Sequence, residues 1–152
     1  MEFAVETWGE TPIVYVRRTG PYGPENKQTM ERLKEWAKKR GLLEGNAVLF
    51  GIPQDDPRTT APEACRYDAC IATDLVLEQD ETDPLQSGIF EGGTYAVFRI
   101  AHTAEGVRQA WNEILPALQA GGCEIANKPT VERYAEKLLR EDWCELCVPI
   151  RI

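Results

Sequence analysis

One carboxylate, Glu145, sits in the middle of an apolar stretch near the end of the sequence, Asp142-Trp143-Cys144-Glu145-Leu146-Cys147-Val148-Pro149-Ile150. The stretch reads as a strand, with β-branched and apolar residues alternating and no helix starter before them. Alternation puts Leu146, Val148 and Ile150 on one face, and Trp143, Glu145 and Cys147 on the other. Burying such an acid unpaired is costly, or forces it to take a proton. It therefore lies on a solvated face, pairs with an arginine, or waits for a cationic ligand. The last is the sharper reading and makes Glu145 the first candidate. A second acid, Asp68, stands two residues before Cys70 in the strand-like Cys65-Arg66-Tyr67-Asp68-Ala69-Cys70-Ile71-Ala72. It is either a second anchor or the structural partner of Arg66 or Arg99.

Aromatic residues supply the rest of the candidate site. Trp36, Trp111, Tyr22, Tyr67, Tyr95 and Tyr134 are core residues or walls of a pocket. Tyr67 and Asp68 point to opposite faces, so only one of them can face a given groove. A carboxylate ringed by aromatics suits a lipophilic cation, because the rings offer area and cation–π attraction and the acid offers charge at short range. No nucleophile–base pair, metal set or phosphate loop is found, and no cofactor is expected. Cys144 and Cys147 have the spacing of a metal or redox pair, but on a strand they point apart, and neither a second such pair nor a well-spaced His completes a site. His102 reads as a surface or capping residue.

Composition narrows the class. The chain has 152 residues, 43% of them hydrophobic, enough for one domain or two small modules sharing a core. A net charge of -8 repels phosphate backbones, so direct nucleic-acid binding is not expected. No apolar run approaches a membrane span, and the N-terminal residues lack signal-peptide character. The expected location is cytoplasmic, with the five cysteines reduced.

These residues need elements to hold them. Residues 1–8 suit an edge strand and 12–16 a stronger one, followed by a loop over 17–23. Pro24 opens a helix whose apolar positions include Met30, Leu33, Trp36 and Ala37, and Gly41 stops it. Strands are expected over 47–52 and 65–72, with a loop between. An acidic linker covers 78–84. A strand over 93–99 follows, then a helix capped by Thr103 with Val107, Ala110, Trp111, Ile114 and Leu115 on its apolar face. Pro116 is expected to end or kink it. Strands over 130–135, containing Glu132 and Tyr134, and 142–150 complete the chain.

The order strand, helix, strand, strand thus occurs twice, over residues of about 1–77 and 88–152. Tyr15 matches Tyr95, Trp36 matches Trp111, and Asp68 and Cys70 match Glu145 and Cys147. Two such halves imply a seam, flanked by the helices carrying Trp36 and Trp111, where a pocket is expected.

Several stretches resemble the GyrI-like small-molecule-binding domain, also called the AraC effector-binding or Rob C-terminal-like domain. They are Tyr15-Val16-Arg17-Arg18-Thr19-Gly20-Pro21-Tyr22, Asp55-Asp56-Pro57, Cys65 to Ile71, Gly92-Gly93-Thr94-Tyr95-Ala96-Val97-Phe98, Trp111 with Leu115-Pro116, and Glu145 to Ile150. The resemblance implies an α+β fold, a pseudo-twofold tandem of two β-α-β-β modules. Its curved antiparallel sheet carries both helices on one side and a central groove for lipophilic or cationic molecules. Glu145 matches the family's anchoring glutamate. A stand-alone ligand binder is the nearest reading. A hydrolase of strained cyclopropane genotoxins using Glu145, and an inhibitor acting on DNA gyrase, are the alternatives. The oligomeric state stays open.

Overall fold

The computed structural model describes residues 1–78, 84–135 and 140–151, so most of the acidic linker lies outside the described residues. The elements in chain order are β1 (Ala4–Trp8), β2 (Thr11–Thr19), α1 (Pro24–Lys39), β3 (Val48–Pro53), β4 (Arg66–Ala72), β5 (Leu85–Phe90), β6 (Gly93–Ala101), α2 (Ala104–Ala120), β7 (Glu124–Ile125), β8 (Val131–Ala135) and β9 (Trp143–Arg151). The fold is α+β. Its strands form one curved antiparallel sheet in the order β1-β6-β9-β8-β3-β4-β2-β5, and β7 adds to β9. No helix among the described residues is long and apolar enough to cross a membrane.

Each half contributes three strands and a helix. In the first, β2, β4 and β3 lie side by side; in the second, β6, β9 and β8 do so. The halves meet where β3 pairs with β8. Met30, Leu33 and Ala37 recur on one face of α1 and pack on Val14, Val16, Ala69 and Ile71. Ala110, Ile114 and Leu118 of α2 pack in the same way on Phe98, Leu146, Val148 and Ile150. Both helices therefore cover one face of the sheet. The other face has its own core, with Ile13, Phe50, Cys70, Val97 and Cys147 in it. That face is concave. Phe50 of the central strand β3 stacks on Phe90 of the end strand β5 at 5.2 Å, and lies 6.3 Å from Trp8 of the opposite end strand β1.

Each half takes its outermost strand from the other. β1 precedes β2 in the chain but pairs with β6; β5 precedes β6 but pairs with β2. The two connections pass each other where Gly92 meets the end of β1. A Cβ at Gly92 would lie 2.2 Å from the Trp8 carbonyl oxygen, and its φ of +80° is one that side-chain-bearing residues rarely adopt. β5 was not expected from the sequence, because Leu85-Gln86-Ser87-Gly88-Ile89-Phe90 has weak alternation. β2 runs on through Arg17, Arg18 and Thr19, which the sequence suggested were loop. α2 continues past Pro116 to Ala120 rather than ending there, so the missing amide costs one hydrogen bond without stopping the helix. Thr103 caps α2 by accepting from the Gly106 amide at 2.9 Å.

The register corrects one repeat match. Tyr15 stands opposite Cys70, but Val97, not Tyr95, stands opposite Cys147. Asp68 and Glu145 do occupy equivalent places, since Ile52 faces Asp68 and Arg133 faces Glu145.

Arg133 ties the concave face together. It donates to Glu145 at 2.9 Å and to both oxygens of Glu6 at 3.2 Å, and lies 4.7 Å from the Trp8 ring centre. Arg133→Met leaves two carboxylates without their cation and should cost about 2–4 kcal/mol, read as a lower urea midpoint at unchanged slope. The hydrogen bond from Arg133 holds the Glu6 carboxyl below its ordinary 4.5. A depressed carboxylate contributes stability above its unfolded value and loses it as pH falls through the folded one. The variant should therefore lose less stability than wild type between about pH 6 and about pH 3.

Candidate functional site

Between α1 and the start of α2 lies a cavity of about 310 Å³ on the helix side of the sheet. Its floor is Tyr67 of β4, Glu132 and Tyr134 of β8, and Cys144 of β9. Met30 and Val107 supply apolar walls from the two helices, and His102 stands at the mouth, edge-on to Tyr134 at 5.3 Å. Glu132 and Tyr134 are two apart on a strand, so the pleat turns both to this side. The Tyr134 hydroxyl donates a hydrogen bond to a Glu132 oxygen. Among the described residues, no basic side chain lies within ion-pair distance of Glu132.

Backbone geometry makes room for this cluster. Gly51 of β3 pairs directly with Glu132. A Cβ at Gly51 would sit 2.5 Å from the Tyr67 hydroxyl. Glycine there lets the Tyr67 phenol lie over the β3 backbone beside the acid. Burial first, and then the charge of Glu132, push the Tyr67 and Tyr134 phenols well above their ordinary value. Cys144 is pushed up to about 12 by burial and by the same carboxylate. Both phenols and the thiol therefore stay protonated around one acid. Lys27 and Lys34 stand at the rim, and Lys34 leans toward Glu31 at 3.6 Å.

Of the residues singled out in the sequence, Tyr67 and Tyr134 meet in this groove. Glu145 does not. It faces the concave side, with its side chain 14% exposed, and is held by Arg133. The pairing follows from register, because Arg133 stands directly opposite it. Asp68 also faces the concave side; its partners are Arg17, through two bonds of 2.8 Å, and Gln54 at 3.0 Å, rather than Arg66 or Arg99. Tyr95 is on that face too, stacked 4.3 Å from Trp8. Tyr22 pins a loop, donating to the Asp55 and Arg66 carbonyls and accepting from the Asp55 amide. Trp36 packs against the core beneath α1, and Trp111 is 37% exposed on α2; neither lines the groove.

Glu132 is the candidate site residue that the sequence reading did not single out. Its signal was present: a carboxylate and a phenol at i and i+2 on a short strand. Cys144 faces the helix-side core and Cys147 the concave core, as alternation requires.

The family model for the GyrI-like small molecule binding domain matches residues 1–151. YosT, an SPbeta prophage-derived protein of Bacillus subtilis (strain 168), is 38% identical over 99% of this chain and 100% of its own length. A DNA gyrase inhibitor of Edwardsiella piscicida is 28% identical over 99% of both chains. The fold is similar to that of the EcmrR C-terminal domain, with a TM-score of 0.70 at 14% identity, covering 99% of this chain and 97% of that one. In the EcmrR–DNA complex the chain covers only 57% of the regulator. SAV2435 bound to tetraphenylphosphonium has a TM-score of 0.59 at 14% identity, over 99% of this chain and 94% of that one.

Replacing Glu132 by Gln should raise the thiolate fraction of Cys144 at a given alkaline pH, read as faster alkylation of that thiol in the folded protein. An unchanged rate would separate the carboxylate from Cys144.

Proposed function

The chain belongs to the GyrI-like small-molecule-binding domain family, and from that premise we propose that its groove between α1 and α2 binds a lipophilic organic cation, with Glu132 as the charge partner. The observation that carries this reading is a half-buried carboxylate that has no cation within ion-pair distance among the described residues and is flanked by two phenols. Hydrocarbon or aryl groups of the ligand would lie against Met30, Val107, Tyr67 and Tyr134, and its positive centre over Glu132.

The rim lysines do not reverse this preference. Lys27 is solvated and Lys34 is offset by Glu31, so at the rim each interaction is weakened by water and salt. The floor acid works in a poorer solvent. A unit-charge pair at about 4 Å gains roughly 1 kcal/mol in bulk water and about 4 at the effective dielectric of a protein surface. The overall charge of -8 draws cations toward the molecule as well. A related fold carrying tetraphenylphosphonium supports the same ligand class.

One observation favours a second use of the groove. A phenol bonded to a carboxylate can relay a proton to or from a bound electrophile. Recovery of a cyclopropane-bearing alkylator unchanged after prolonged incubation with excess protein would remove that reading.

The binding reading is tested with rhodamine 6G, followed by anisotropy. Glu132→Gln should weaken binding about tenfold or more, the scale of a lost charged contact. Glu145→Gln should leave dye affinity within about twofold after correction for the folded fraction. Equal binding by wild type and Glu132→Gln would overturn the assignment.

A further inference from the structure

The concave face holds a second cavity, of about 420 Å³, beneath the turn from β5 to β6. Ile13, Ile52, Phe90 and Tyr95 line its apolar part, and Arg17 with Asp68 and Gln54 forms its polar end. Its size falls within the range of small-molecule sites.

The polar end is charge-ordered. Arg17 spends Nε and Nη2 on the two oxygens of Asp68, both at 2.8 Å. Gln54 adds a third donor to the same carboxylate at 3.0 Å. Asp68 is 4% exposed and has a donor on each oxygen, so little of it remains for an incoming cation. Arg17 is different. Its side chain is 34% exposed, and its Nη1 has no hydrogen-bond partner among the described residues. The bidentate grip and the Tyr15 ring, 5.6 Å away, fix where that free edge points.

The other half of the sheet shows what fills the corresponding space there. Arg133 is bracketed by two carboxylates, Glu145 and Glu6. The register puts Ile52 in the place of Arg133, and Gly88 in the place of Glu6: Gly88 faces Ile13 as Glu6 faces Tyr95. Both Ile52 and Gly88 line the cavity. The space that Arg133 and Glu6 fill in one half is therefore open in the other, where Asp68 takes its cation, Arg17, from the strand on its other side. Lys128 adds a second cation at the far end, where it donates to the Gly92 carbonyl at 3.3 Å; Glu91 stands at that end too.

We propose that this cavity binds a small amphipathic carboxylate, with its anion on the free edge of Arg17 and its apolar body against Ile52, Phe90 and Tyr95. The site is separate from the groove around Glu132 and selects the opposite charge.

The test uses 1-pyrenebutyrate, followed by fluorescence anisotropy up to about 1 mM. Saturable binding is expected in wild type, and the neutral analogue 1-pyrenebutanol should bind about tenfold more weakly. Removing Arg17 alone would strand Asp68, so the pair is replaced together in Arg17→Met/Asp68→Leu, which leaves no unpaired charge. That variant should bind pyrenebutyrate at least about tenfold more weakly and rhodamine 6G as wild type does. Glu132→Gln should retain pyrenebutyrate binding. Absence of saturable binding, undiminished binding by the double variant, or displacement of pyrenebutyrate by rhodamine 6G would each overturn the proposal.

Discussion

The pleat of one short strand, β8, sorts the charges of this molecule. Glu132 and Arg133 are neighbours in sequence, and alternation sends them to opposite faces of the sheet. On the concave side Arg133 takes Glu145 and Glu6, so Glu145 is neutralised as it is buried and the more exposed Glu6 is held beside it. On the helix side Glu132 accepts from a phenol and, among the described residues, meets no cation. A one-residue slip of β8 would exchange the two outcomes. It would strand Glu145 and Glu6, and put a guanidinium among the phenols of the groove. The ion pairs on one face thus fix the register that leaves a carboxylate available on the other.

The curl of the sheet makes the two faces unequal. Because each half takes its outermost strand from the other, the ends of β1 and β5 are drawn toward the central strands, and the aromatic rings of Trp8, Phe50, Phe90 and Tyr95 close over the concave side. The helices then sit on the convex side, where the sheet splays them apart and leaves the groove over β3 and β8. Gly51 and Gly92 mark the two places where this arrangement needs backbone without a side chain: one under the Tyr67 hydroxyl, the other against the Trp8 carbonyl.

Much of this was legible in the sequence. The tandem, both helices, Thr103 as a cap and the equivalence of Asp68 with Glu145 follow from periodicity and spacing. The family resemblance correctly indicated an α+β fold with both helices on one side. β5 was hidden, because its strand character comes from pairing with β2 rather than from its own alternation. The placement of the acids was only half legible. Alternation separates Glu145 from Leu146, but does not say which face the helices cover. Nor does it reveal that Arg133, which stands twelve residues earlier, will be the cross-strand neighbour of Glu145. Trp36 and Trp111 had the right periodicity for helix faces, yet neither lines the space between the helices. Glu132 lacked the apolar surroundings in sequence that drew attention to Glu145; its environment is built by β4, β9 and α1, which are distant in the chain.

The most direct measurement is a crystal structure with tetraphenylarsonium, whose arsenic can be located by anomalous scattering. The expected peak lies between α1 and α2, within about 6 Å of the Glu132 carboxylate and the Tyr67 and Tyr134 rings. A peak beside Glu145 or inside the concave face, with the groove between the helices empty, would contradict the assignment of Glu132 as the cation's partner.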